Sequence, residues 1–407
     1  MGALGWSIHT NELPRFLKPH VTSKGGQTLK APEYYAGREQ TYLKHYFLER
    51  YLEHVAYHIG YSNNDFVYVD CFSGPWKSTD EKFEDTSFMI ALQELRKVRE
   101  GLGAHGRYPR IRCLFIEKDL MAFRELERAT QGLPRVEVQA IHGEFEQVIP
   151  EILRFIGQSF ALIFIDPTGM TGFGLDQIRS LLQHRPGEVI VNFMFDFINR
   201  FPTHPNPQIT ARYNQLFGGP GWEDAIRQSP HRERTIIELY CERLRAAGNF
   251  PHVTYTRIVK PSAERTYFYL VYGTRHVRGL QKFREVEHKF VDEQERVRLT
   301  AKQQARIERT HQNELFAATD EPLIEPSFAE ERQNQKNLAQ ARLWALFNIT
   351  PRVEYDDVLK SLLELPLVWE SDIKEMVTSL HAQGEIQIEG LKPRERTPKS
   401  GHILLKT

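Results

Sequence analysis

Four polar residues stand at the ends of apolar runs in this sequence: Asp70 after Phe66-Val67-Tyr68-Val69, Glu117 after Cys113-Leu114-Phe115-Ile116, Asp166 after Ala161-Leu162-Ile163-Phe164-Ile165, and Asn192 after Val189-Ile190-Val191. Such runs read as buried parallel strands, and in open α/β sheets the ligand lies at the carboxyl ends of the strands. The four residues are therefore expected to converge on one crevice. An acid after the second strand, Glu117, suits a ribose, because a carboxylate accepts hydrogen bonds from both sugar hydroxyls. The Gly143-Glu144 step after the third strand suits an adenine edge. In the turn Asp70-Cys71-Phe72-Ser73-Gly74-Pro75, the small residues Ser73 and Gly74 permit close backbone approach to the middle of a ligand. Asp166-Pro167 suits the reacting group, since an X-Pro bond after a buried strand fixes the backbone there. Each acid also has a plainer structural use, because an acid at a strand end often caps the next helix.

One acid per strand end, in this order, is the layout of an S-adenosylmethionine methyltransferase. Asp70, Phe72, Ser73, Gly74, Glu117 and Glu144 are then the cofactor-binding residues, and Asp166, Pro167 and Lys44 the catalytic ones, with Lys44 pointing in from the leading helix. A dinucleotide reader requires G-x-G-x-x-G directly after the first strand, where only Gly74 stands, and a nucleotide triphosphatase requires G-x-x-x-x-G-K-[S/T], which is absent. Methyl transfer is an in-line displacement that needs donor and acceptor about 3 Å apart and stripped of water. If the acceptor is an exocyclic base amine, Asp166 and the Pro167 carbonyl accept its hydrogens, by analogy with the Asp-Pro-Pro-Tyr loop of amino-methylating enzymes. Thr168-Gly169 replace Pro-Tyr here, so base stacking falls to Phe173 or Phe195. A base in a duplex must also be flipped out.

Other residues read more plainly. His45 reads as an ordinary helix-surface residue, and Met194, Phe195 and Phe197 as core; Asn199-Arg200 is polar enough to touch substrate. The loop Gly169-Met170-Thr171-Gly172-Phe173-Gly174 follows the fourth strand, not the first, so it belongs beside the substrate rather than around a phosphate. Ser73 lacks the G-x-S-x-G of a serine nucleophile.

The 407 residues carry 53 basic and 53 acidic side chains, so no global field favours nucleic acid or an anionic membrane and any such contact must be local. The fold class expected is α/β: strands alternating with helices imply βαβ units in a doubly wound, mainly parallel sheet, with Val253–Thr256 and Thr266–Tyr272 as a closing antiparallel pair. Four regions are expected: an irregular arm over 1–36, the α/β domain over 37–290, a solvated helical connector of alternating charge over 291–334, and a separate module over 335–407. The module reads as helices at Leu338–Phe347, Asp356–Leu365 and Ser371–Gln383, then a hairpin, which is a winged-helix outline. Its loop Lys392-Pro393-Arg394-Glu395-Arg396-Thr397-Pro398-Lys399 is basic, as a wing on phosphates would be. The three scattered cysteines fit no metal clip or disulfide framework and suit a reducing cytosol. Met1–Thr10 has no basic start and apolar core, and no apolar run reaches the ~20 residues of a membrane span; a cytoplasmic protein is expected.

At these residues the chain resembles the three-Cys-motif partner proteins (TcmP), over about residues 38–278. The resemblance rests on Lys44-His45 with Leu48 and Tyr51-Leu52; Tyr68-Val69-Asp70-Cys71-Phe72-Ser73-Gly74-Pro75; Phe115-Ile116-Glu117-Lys118-Asp119; Phe164-Ile165-Asp166-Pro167-Thr168-Gly169; Asn192-Phe193-Met194 with Asn199-Arg200; and Tyr269-Leu270-Val271-Tyr272-Gly273-Thr274. It implies a class I methyltransferase-like fold and a protein partner carrying a three-cysteine, radical-type motif. Two departures stand out: Trp76 replaces the family's second glycine, and Asp85-Thr86-Ser87 replace its later Gly-Ser-Pro. A Trp at the carboxylate end of S-adenosylmethionine would block or reshape the pocket. Two readings follow: a methyltransferase acting on DNA or RNA, favoured by Asp70, Glu117 and Asp166, or a catalytically silent nucleic-acid-binding module working with a partner, favoured by Trp76 and Thr168-Gly169. A metal nuclease gathering Mg²⁺ on the three acids ranks last.

Overall fold

The computed structural model describes residues 29–74, 78, 80, 82–200, 206–261, 263, 265–310 and 326–407. Most of the expected arm, together with Pro75, Trp76 and 311–325 of the expected connector, lies outside these residues. After a 3₁₀ turn at Pro32–Tyr35, the chain alternates strand and helix: α1 (Glu39–Ser62), β1 (Asp65–Asp70), α2 (Ser87–Ala104), β2 (Arg110–Glu117), α3 (Leu120–Thr130), β3 (Glu137–His142), α4 (Ile149–Ile156), β4 (Phe160–Ile165), α5 (Arg179–Leu182) and β5 (Gly187–Phe193). Then come α6 (Phe195–Ile198), α7 (Pro207–Phe217), α8 (Trp222–Gln228), α9 (Arg232–Gly248), β6 (His252–Val259), β7 (Thr266–Thr274) and the long α10 (Val277–Thr310). The rest is α11 (Pro326–Ile349), β8 (Arg352–Glu354), α12 (Tyr355–Leu362), α13 (Glu370–Ala382), β9 (Ile386–Glu389) and β10 (Ile403–Lys406).

The first seven strands form one sheet in the order β3-β2-β1-β4-β5-β7-β6. The first five are parallel, and β7 runs antiparallel to both β5 and β6. This is a Rossmann-like α/β architecture. Its central strands are buried along almost their whole length, which is why they read as continuous apolar runs rather than alternating ones. Successive side chains face opposite sides. Phe66 and Tyr68 pack with α1, α2 and α10 on one side, while Val67 and Val69 pack with α4, α7 and α9 on the other. Local signals set the helix starts. Thr86 accepts the Met89 N–H to open α2, and Asp119 accepts the N–H groups of Met121 and Ala122, both at 2.9 Å, to open α3. Pro150 sits in the first turn of α4, where a missing N–H costs nothing.

The largest departure concerns α10. Its dense, alternating charge reads as a solvated connector, yet Phe283, Phe290, Val291 and Val297 are buried, and so are Arg284, Glu287, Gln294 and Arg298. The helix packs against α1 and β6, and the expected boundary at 290/291 falls inside it. The α10 polar groups are buried because they are paired. Arg284 and Glu287 form an ion pair at 2.7 Å with side chains 1% and 0% exposed. Arg284 also donates to the carbonyls of Leu363 (2.9 Å), Glu364 (3.2 Å) and Tyr255 (3.2 Å) and to the Thr254 hydroxyl. Glu287 accepts the Leu367 N–H and the Trp369 indole N–H, both at 3.3 Å. This network joins the sheet and α10 to the C-terminal elements, whose own core includes Leu343, Val358, Leu362, Ile373, Val377 and Leu404. There β8 and β9 flank β10 in an antiparallel sheet; the three-residue β8 carries too little pattern to be seen in the sequence. Among the described residues, no helix is long and apolar enough to cross a membrane.

Candidate functional site

The sheet register brings the sequence-selected residues to one edge. Asp70 lies opposite Phe115 and Phe164, and Ile165 lies opposite Val191, so Asp166 and Asn192 follow side by side. They are bonded: the Asn192 side-chain N–H donates to Asp166 Oδ1 at 2.6 Å, and Lys44 from α1 pairs with Asp166 Oδ2. The Lys44 and Asp166 side chains are 13% and 11% exposed. The same Asn192 amide also reaches the Met194 sulfur at 3.5 Å, while Asn192 Oδ1 is buried with no donor near it. A buried acceptor left without a donor is costly and rare in native interiors. Pro167 is buried directly after Asp166.

Asp70 is fully buried at the end of β1. Ser87 Oγ donates to its Oδ2 at 2.7 Å and the Phe72 N–H to its Oδ1 at 3.1 Å. Burial, with the Asp166 carboxylate nearby, outweighs these bonds and pushes the Asp70 pKa up to about 6. Ser73 ties the turn down: its hydroxyl donates to the Asp70 carbonyl at 2.7 Å and its N–H to the Ile116 carbonyl at 2.9 Å. Asp70 and Ser73 thus shape the turn, and Gly74 is the last residue described before 75–77. Phe72 packs edge-on against Phe145 at 5.5 Å and stands beside Gly172, where φ is +88° and an added Cβ would meet its ring at 3.8 Å. Glu117 is buried at the end of β2, where its Oε1 accepts the Asp119 N–H at 2.6 Å.

Glu144 is exposed in the turn before α4, where it accepts the Gln147 side-chain N–H at 2.6 Å. Several expectations are corrected. Phe173 and Phe195 are buried to within 2% and offer no face to a base. Phe197 lies at the exposed end of α6, 39% accessible, where core was expected. His45 is buried beside the Tyr35 hydroxyl rather than on the helix surface, and burial, reinforced by Lys44 and Arg38, holds its pKa well below the usual histidine range. Two contributors were missed. Ser87, in the first turn of α2, holds Asp70. Tyr68 shares a strand face with Asp70; its buried hydroxyl has no partner, and burial plus the Asp70 and Asp166 charges raise its pKa well above normal. The period-two spacing of Phe66, Tyr68 and Asp70 is the signal that could have found it.

Two cavities lie elsewhere. One of about 290 Å³ sits between the 29–33 segment, α1 and α10, and one of about 250 Å³ between α11 and α13.

No protein-family model and no curated protein matches this sequence. Among solved structures, the chain is similar to protein LPL1258 from Legionella pneumophila, described under the family model DUF519. The two share 13% identity over 57% of this chain and 84% of that one, with a TM-score of 0.34.

Proposed function

We propose that this chain is an S-adenosylmethionine-dependent methyltransferase acting on an exocyclic amine of a nucleic acid base. One observation carries the reading: a partly buried carboxylate, Asp166, is held by Lys44 and Asn192 at the carboxyl edge of the sheet, beside an Asn192 oxygen that lacks a donor. An amine N–H supplies that donor. Asp166 can take another, because a carboxylate offers about four acceptor sites and two are filled here. The sheet order, with its reversed seventh strand, supports a class I methyltransferase-like fold and, with the motifs above, membership of the TcmP family.

The donor set suits the cofactor. Glu117, positioned by the Asp119 N–H, would take the ribose hydroxyls, and the Asp70-to-Ser73 turn would pass close to its middle. S-adenosylmethionine, when bound, supplies an electrophilic methyl group on a sulfonium. The protein's part is to orient the amine, with Asp166 and Asn192 Oδ1 accepting its two hydrogens so that the lone pair points outward. Lys44 keeps Asp166 in place across the crevice from α1. Holding the acceptor in a dry, fixed geometry is where most of the acceleration arises in such a displacement.

The C-terminal elements are read as a winged helix, with helices α11, α12 and α13 and the β9–β10 hairpin whose loop carries Lys392, Arg394, Arg396 and Lys399. Its role would be to grip phosphates, and a three-Cys-motif protein would be the partner. The second reading, a silent module, is favoured by Asp166 being ion-paired with Lys44 of the same chain. Calorimetric titration with S-adenosylmethionine and S-adenosylhomocysteine tests the choice, with Glu117→Ala as control. Micromolar binding lost in the variant is expected, followed by radiolabelled methyl transfer to DNA or RNA. Failure to bind at millimolar ligand would overturn the enzyme reading.

A further inference from the structure

Asp196, in α6 just beyond β5, has a side chain 7% exposed and is the meeting point of three cations among the described residues. Arg200 reaches it at 3.2 Å from one helical turn on, Lys260 reaches it at 3.2 Å, and Arg265 pairs with its Oδ1. Lys260 and Arg265 come from the two ends of the β6–β7 turn, which is closed by the Lys260 N–H to Arg265 carbonyl bond at 2.9 Å. Because β7 runs antiparallel to β5, with Asn192 opposite Leu270 and Phe193 opposite Tyr269, the start of β7 lies at the carboxyl edge of the parallel strands. The cluster therefore shares an edge with Asp166 and Asn192.

Three cations stand against two carboxylates, Asp196 and the nearby Glu233, which accepts from the Thr266 and Tyr269 hydroxyls, so the group carries a net positive charge of about one. The Arg200 and Arg265 side chains are 52% and 57% exposed, their outer donors facing water. Two aromatic rings stand among them: exposed Phe197 with the Arg200 guanidinium at 5.7 Å, and half-buried Tyr267 with the Lys260 ammonium at 5.1 Å. Cations that follow a backbone, interleaved with rings on which bases stack, are the means by which single-stranded nucleic acid is held without sequence readout. Arginine, with its planar fork, is the better of the two cations for phosphate.

We propose that Arg200, Lys260 and Arg265, organised by Asp196, bind the phosphates of a nucleic acid strand next to its target base, with Phe197 and Tyr267 offering stacking faces. This rests on the nucleic-acid reading above and names the surface that reading needs. It differs from the winged-helix contact in place: the turn lies beside the crevice, so it holds the nucleotides flanking the reacting one.

Fluorescence anisotropy with a labelled mixed-sequence single-stranded DNA, and with its RNA counterpart, tests it over a salt series. The proteins compared are the full-length chain, the double variant Arg200→Gln/Arg265→Gln, and a hairpin-loop variant Arg394→Gln/Arg396→Gln. Loss of two phosphate contacts should weaken binding about tenfold and lower the log–log salt slope by roughly 1.4, at about 0.7 per contact on a single strand. Both residues are half-exposed, and an unchanged thermal melt checks that the variant folds. Wild-type affinity and slope in the double variant would overturn the proposal, as would the absence of binding by the full-length chain at low salt. A parallel S-adenosylmethionine titration separates the two readings. Cofactor binding together with an unaffected double variant removes only this surface; strand binding lost in the double variant without any cofactor affinity removes only the enzyme.

Discussion

Two charge pairs, one within α10 and one between α1 and the end of β4, are built differently. Arg284–Glu287 is sealed: its side chains are 1% and 0% exposed, and carbonyls, a hydroxyl, an amide and an indole surround it. Lys44–Asp166 keeps about a tenth of its surface, stands near a carboxyl that holds its proton up to about 6, and leaves Asn192 Oδ1 without a donor. A buried polar network that is fully satisfied rigidifies, whereas one left short is a store of unspent hydrogen-bonding capacity. The first is a joint between the sheet and the C-terminal elements; the second keeps an acceptor unused, which is what the proposed amine would fill.

The comparison breaks most readily at the joint. Arg284→Met strands a buried carboxylate and several carbonyls, so a loss of about 3–5 kcal/mol is expected in urea unfolding, with the C-terminal elements becoming proteolytically labile. Lys44→Met should behave otherwise. Methyl transfer is expected to fall on the order of 10²-fold, equivalent to about 2.7 kcal/mol of barrier, while S-adenosylmethionine affinity stays within about twofold by calorimetry and the melting curve moves little. If Lys44→Met unfolds the protein as Arg284→Met does, the two pairs are the same kind of object and the distinction fails.

Asp70→Asn sharpens the contrast by stability. An ordinary carboxyl titrates near 4 in the unfolded chain, whereas Asp70 holds its proton up to about 6 in the fold. Between those values the folded state binds more protons, so this residue's contribution to stability falls as pH rises through that window and its cost is complete above it. Asp70→Asn is therefore expected to stabilise by roughly 2 kcal/mol at pH 7 and to have no such effect below pH 4, read from thermal melts at both. The Ser87 hydroxyl can accept from the new amide as well as donate. At the small end, Arg110→Ala removes a bidentate pair with Glu137 at 2.8 and 2.9 Å whose side chains are 60% and 49% exposed. Solvent screening should limit the change to within about 0.5 kcal/mol, which shows that pairing alone is not what separates the two sites.

The strands that carry the site were plain from residue order. A strand buried on both faces has to be continuously apolar, so its polar terminus stands out, and Asp70, Glu117, Asp166 and Asn192 were each found that way. Glu144 stays exposed because β3 is an edge strand, only partly buried, and an acid after it is under no demand to turn inward. Arg284, Glu287 and Gln294 were misread as solvated. Their partners lie on β6 and on the segment before α13, tens of residues away, and a polar residue looks solvated until its distant partner is known. Phe197 and Phe195 are two residues apart in one short helix, yet one is exposed and the other is core, a choice made by the packing of Phe195 on Tyr269.

Local order in the chain was enough to specify the α/β class, the strands and the acids that end them, because burial on both faces and chain reversal are written in neighbouring residues. Which acids pair, which hold a proton to higher pH than usual, and which cations gather around Asp196 came from contacts between segments far apart in sequence. Electrostatics and hydrogen bonding act over a few ångströms of space and take no account of separation along the chain, so those properties exist only once the strands are in register and the helices are docked.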